Sequence, residues 1–125
     1  MTMYDTNIMI DYLRGRDEAA DIIRKSTDQR GIGISAISCY ELLEGVKGTE
    51  EEALESLFSR IAIYNIDLKT ARKASELHKK LRKDGSELSI ADMFIVATAE
   101  ANDELFVTQD SDFKDSYSKA IVFEK

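Results

Sequence analysis

The sequence predicts an α/β domain: a mainly parallel central sheet of about five strands, with helices on both faces. Three observations carry this. Short apolar, strand-like stretches alternate with helix-period stretches along the whole chain. Its 125 residues, 43% of them hydrophobic, suffice for one domain with a real core, spanning 1–125. No linker, repeat or low-complexity stretch interrupts the alternation, and with proline absent, Gly and polar clusters do the punctuating.

The elements follow in order. Thr2-Met3-Tyr4 reads as a first strand that stops abruptly at Asp5-Thr6-Asn7. Ile8 to Leu13 reads as a helix ended by Gly15, a usual C-terminal stop. Asp17 to Asp28 is amphipathic, with Ala19, Ala20, Ile22 and Ile23 inward. Gly31 to Ser35 alternates as a second strand, and Ser38 to Gly45 opens another helix. Thr49 to Ser59 continues helical on a stripe of Ala53, Leu54, Leu57 and Phe58, and Ile61 to Ile66 is a third strand closed by Asp67. Leu68 to Lys83 is the longest helix; Leu68, Ala71, Ala74, Leu77 and Leu81 recur at spacings of three and four. Its other face carries Lys69, Arg72, Lys73, Lys79, Lys80, Arg82 and Lys83, read as a solvated face, with a phosphate track as the lesser reading. Gly85 ends it, Ser89 starts the next helix, and Leu105–Thr108 and Ala120–Phe123 are the last two strands.

Composition narrows the function. The formal charge of −7 argues against coating nucleic acid by non-specific charge, but not against an enzyme that meets phosphates through a divalent metal. The single Cys39 allows no intramolecular disulfide and matches no zinc spacing, so a cytoplasmic location is expected and Cys39 is read as a small core residue. No apolar run reaches a membrane span and the N-terminus has no signal-peptide pattern. The lone His78 lies among Lys79, Lys80 and Arg82 and is assigned no catalysis.

The acidic residues carry the chemistry. Asp92 stands at the head of the apolar run Met93 to Ala99, an odd place for a charge that is costly to bury without a partner. Asp5 ends the first strand, Glu41 falls in the first turn after the second, and Asp110 follows the fourth with Asp112 two residues on. Each has a bland explanation. Asp5 reads as a helix N-cap, Ser38-x-x-Glu41 and Ser89-x-x-Asp92 as capping boxes, and Asp110 and Asp112 as turn residues. Yet in a parallel sheet all of them fall at one edge, the carboxyl ends of the strands, where ligands bind. Brought together without a cation, the carboxylates would repel. No Arg or Lys occurs within Met1–Ile10, Ser35–Leu43, Leu88–Ala99 or Leu105–Phe113. The natural counter-charge is a hard divalent ion, Mg²⁺ or Mn²⁺, and such a site suits hydrolysis at phosphorus. No competing nucleophile motif is present.

The stretches Met3-Tyr4-Asp5-Thr6-Asn7, Ser38-Cys39-Tyr40-Glu41-Leu42, Ala91-Asp92-Met93-Phe94-Ile95-Val96-Ala97 and Val107-Thr108-Gln109-Asp110-Ser111-Asp112-Phe113 resemble, in order, the four acidic motifs of PIN-domain ribonucleases. The resemblance extends to the small VapC-type toxins of prokaryotic toxin–antitoxin pairs. The resemblance implies a PIN-like three-layer sandwich and a Mg²⁺- or Mn²⁺-dependent endoribonuclease acting on RNA. It also implies a likeness to homodimers held inactive by a small DNA-binding antitoxin. It assigns Asp5, Glu41, Asp92 and Asp110 to the metal and catalysis, and Asp112 to an accessory place. Thr6 and Thr108 would hydrogen-bond metal-bound water or a carboxylate, and Asn7 would support Asp5.

Two other readings compete. A phosphoacceptor receiver domain has similar length, and Asp67 sits at the acceptor's place, but Asp5-Thr6 is no acidic pair and only Glu124-Lys125 follows the last strand. A non-catalytic interaction module would use its acids only as caps. Finally, Ile8, Ile10, Tyr12, Leu13, Leu54, Leu57 and Phe58 are candidates for a groove that takes an antitoxin helix, against the plainer reading that they are core.

Overall fold

A computed structural model describes residues 1–124; Lys125, named above with the receiver-domain alternative, lies outside the described residues. The strands are β1 (Thr2–Tyr4), β2 (Ile32–Ser35), β3 (Ala62–Tyr64), β4 (Leu105–Thr108) and β5 (Ala120–Val122). All neighbouring pairs run parallel, in the order β3-β2-β1-β4-β5. The helices are α1 (Thr6–Leu13), α2 (Asp17–Ser26), α3 (Ala36–Gly45), α4 (Glu50–Phe58), α5 (Leu68–Lys83) and α6 (Ile90–Ala101), with a 3-10 turn at Ser111–Phe113. Among the described residues, no helix is long and apolar enough to cross a membrane.

Both sheet faces are covered, as a parallel sheet requires. Successive residues of a strand enter opposite cores: Tyr4 and Val107 the first, Met3 and Phe106 the second. The first core gathers Ile8, Met9, Ile22, Ile34, Leu42, Leu54 and Leu57 from α1, α2, β2, α3 and α4. The second gathers Leu77, Leu81, Met93, Ile95, Val96 and Phe113 under α5, α6 and the 3-10 turn. Full burial of each such apolar side chain contributes about 1.5–3 kcal/mol. The result is the expected three-layer sandwich.

Several boundaries shift for local reasons. α1 begins at Thr6, two residues before the expected Ile8, because Asp5 caps it by accepting from Thr6 N. α2 stops at Ser26 rather than Asp28, since Ser26 Oγ and Thr27 Oγ1 lie 2.7 and 2.6 Å from the buried Tyr4 hydroxyl and hold the chain out of the helix. α3 begins at Ala36 with Ser35 as its cap, so the expected Ser38-x-x-Glu41 capping box does not form and Glu41 lies in the second turn. β3 is shorter than the expected Ile61–Ile66, and Asp67 caps α5 through Thr70 N.

The strand order also removes the receiver-domain reading, because that fold runs 2-1-3-4-5. Asp67 is exposed at the end of an edge strand. Three residues of the expected apolar groove need correction as well. Ile8, Leu54 and Leu57 are core, and Ile10, Tyr12, Leu13 and Phe58 pack half-buried against them, because α1 to α4 cover one another as well as the sheet. The large apolar side chains left exposed on this layer are Tyr40 and Leu43 of α3. Cys39 is half-buried against the first core, and His78 is exposed beside Arg82.

Candidate functional site

The strand order changes direction at β1, with β2 on one side and β4 on the other. In such sheets the crevice at the carboxyl ends of the two diverging strands is where ligands bind. Here it holds Asp5, directly after β1, and Asp110, two residues after β4. Asp92 joins them from the first turn of α6, and Glu41 from the second turn of α3. All four line one cleft of about 310 Å³, together with Thr6, Asn7, Ile10 and Arg14 of the α1 segment.

Asp5 is the buried member, 5% exposed. Its Oδ1 accepts from Thr6 N at 2.8 Å and its Oδ2 from the fully buried Thr108 hydroxyl at 2.7 Å. Thr108 Oγ1 in turn accepts from Asp110 N at 3.0 Å, which fixes the turn after β4. Burial is the largest influence on Asp5 and pushes its pKa up to about 6; Asp92 and Asp110 push the same way, while Thr108 and Thr6 N oppose.

A second buttress serves Glu41. Thr6 Oγ1 lies 2.6 Å from Glu41 Oε1 and 2.9 Å from Ser38 Oγ, and Ser38 Oγ lies 3.3 Å from Ser35 Oγ. A hydroxyl has one proton, and the carboxylate is the stronger acceptor. Thr6 therefore donates to Glu41, Ser38 to Thr6, and Ser35 to Ser38. Ser38 is fully buried and was not among the predicted site residues; its place in an apparent capping box disguised it.

Asp92 is half-buried. Burial raises its pKa, with Glu41, Asp110 and Asp112 adding to the rise and Ser89 opposing. The cap bond at this helix start runs from Asp92 N to Ser89 Oγ, 3.0 Å, and uses the backbone. Asp112 is exposed; its N–H donates to Asp110 Oδ1 at 2.9 Å, and it reaches the site only by charge. Asn7 lines the cleft but is exposed and makes no hydrogen bond to Asp5 among the described residues, so the expected support of Asp5 comes from Thr6 N and Thr108 instead.

Arg14 was also missed, although Asn7, Ile10 and Arg14 follow helical spacing and line the cleft together. It caps the C-terminus of α1 and pairs with Glu50, Nε to Oε2 2.9 Å, at the outer edge. No other Lys, Arg or His lines the cleft among the described residues.

The donor set is oxygen only, from carboxylates of which two are pushed toward holding a proton. That chemistry fits a hard divalent cation. Among the described residues no three of the acids form a ready coordination cluster.

The PIN domain family model matches residues 2–118. The chain is 32% identical over 100 residues to ribonuclease VapC19 of Mycobacterium tuberculosis, covering 79% of this chain and 80% of that protein. Its fold matches a toxin–antitoxin complex from Klebsiella pneumoniae with a TM-score of 0.84 at 26% identity, covering 100% of both chains. It matches VapBC2 from Rickettsia felis, bound to a DNA fragment from its promoter, with a TM-score of 0.79 at 26% identity over 98% of this chain and 97% of that one.

Proposed function

The chain belongs to the PIN-domain family, and on that premise we propose that it is a VapC-type endoribonuclease, the toxin of a toxin–antitoxin pair. It hydrolyses RNA phosphodiester bonds in the cytoplasm at Asp5, Glu41, Asp92 and Asp110, with Mg²⁺ or Mn²⁺ as cofactor. The observation that carries the reading is the convergence of these carboxylates, from four separate segments, on the cleft where the strand order diverges. Caps alone would not need to meet.

The residues divide the work. Asp5, buried and doubly hydrogen-bonded, is a fixed anion at the cleft floor. Asp92, Asp110 and Glu41 are half-buried at the cleft wall. Thr6 orients Glu41, and Thr108 ties Asp5 to the turn that carries Asp110. A divalent ion held by this set would lower the pKa of an attacking water, polarise the phosphate and stabilise the leaving oxygen. The likeness to toxin–antitoxin complexes, one of them bound to a DNA fragment from its promoter, supports an antitoxin as partner; a small DNA-binding antitoxin and a homodimer are what the family resemblance implies.

A metal titration tests this reading. Mg²⁺ or Mn²⁺ should raise the melting temperature of the wild-type chain and not that of Asp92→Asn. An interaction module whose acids serve only as caps would show no metal-dependent shift in either.

A further inference from the structure

We propose that Arg14 binds a phosphate of the RNA and that its ion pair with Glu50 is the resting latch from which it is released. The inference rests on the ribonuclease reading above and adds the group that accepts the substrate's charge.

Four carboxylates face the cleft, and a divalent ion offsets only part of their charge; each RNA phosphate brings one more negative charge to the same place. Arg14 is the one basic side chain lining that cleft among the described residues. Its backbone is fixed: it caps α1, and Gly15 follows at φ +75°, in the left-handed region glycine allows. Its side chain is held at two points. Nε donates to Glu50 Oε2 at 2.9 Å and Nη2 to Gly45 O at 3.3 Å, while Nη1 has no hydrogen-bond partner among the described residues.

Glu50 does not depend on Arg14 for its own position. It opens α4, and its Oε1 accepts from Lys47 N at 3.1 Å. The pair is partly exposed, with 39% and 30% of the two side chains accessible, and such pairs are weak. A phosphate offers the guanidinium a two-point, charge-assisted contact in place of one carboxylate oxygen and one carbonyl. Exchange of partners is therefore favourable once RNA enters the cleft.

Glu50→Gln and Arg14→Gln break the same ion pair, so a purely structural pair predicts the same effect from both. Host RNA incubated with the wild-type chain and Mg²⁺ identifies a cut site, and a short labelled RNA containing it gives KM and kcat at two salt concentrations. Arg14→Gln should raise KM by about 10-fold or more and lower the salt slope of log KM by about 0.7, the value for one lost single-strand phosphate contact. Arg14→Lys should recover part of the loss. Glu50→Gln should leave KM unchanged or lower it. Fluorescence anisotropy in an Asp92→Asn background, with Mg²⁺, should show weaker RNA binding when Arg14→Gln is added. Equal KM changes in the two variants, or an unchanged KM and salt slope in Arg14→Gln, would overturn the role of Arg14 while wild-type cleavage stands. Absence of wild-type cleavage would overturn the ribonuclease reading and this inference with it.

Discussion

Thr108 donates its hydroxyl proton to Asp5 Oδ2 across 2.7 Å, joining the ends of two adjacent parallel strands that lie 103 residues apart in sequence. Both side chains are buried, so the bond is shielded from water. It opposes the burial that raises the Asp5 pKa. Thr108→Val keeps the shape and removes the donor. It should cost about 1–3 kcal/mol at neutral pH in EDTA, the cost of an unsatisfied buried acceptor, and should raise the Asp5 pKa further. Urea unfolding and an NMR titration of the Asp5 carboxyl would measure the two effects.

The pH dependence has a definite sign. The folded pKa of Asp5 is raised from 3.8 to about 6, so the folded chain holds this proton more tightly than the unfolded one. Its contribution to stability is fully present below about pH 4 and is lost as pH rises through about 6. In EDTA, Asp5→Asn should therefore flatten the fall in melting temperature between these values. A wild-type slope retained in full by the variant would contradict the assignment.

Asp92→Asn should leave the metal-free chain as stable as the wild type, or more so, since it relieves the repulsion from Glu41, Asp110 and Asp112. The helix cap survives because it uses the Asp92 backbone N–H. RNA cleavage should disappear. A stability loss of about 1 kcal/mol or more in EDTA would instead mark Asp92 as a capping residue.

Tyr40 and Leu43, 63% and 53% exposed on α3, are three residues apart and share a helix face. Leu43→Asp should change stability by no more than about 0.5 kcal/mol, as expected of an exposed position. If antitoxin binding uses this face, co-purification of the partner should fall. Undiminished co-purification would place the partner elsewhere.

Much of this was readable in the sequence because strand and helix periods differ and each acid stands at an element's edge. Asp5, Asp92 and Asp110 each cap or adjoin a helical start and also face the cleft, so the capping and functional readings do not exclude one another. Ser38 and Glu41 misled because two serines three residues apart both suit a cap, and only the fold selects Ser35. The apolar stripes of α1 and α4 were visible, but a stripe does not say whether it meets another helix or solvent. Arg14 stood outside the acidic motifs, and its pairing spans 36 residues.

The most direct test of the central claim is cleavage of host RNA by the purified chain, freed of any antitoxin, with metal supplied and then withdrawn. With Mg²⁺ or Mn²⁺ the account predicts discrete cut ends in wild type and none in Asp92→Asn. Excess EDTA should abolish the wild-type cuts and re-addition of metal restore them. Full cleavage in excess chelator, or by Asp92→Asn, would contradict it.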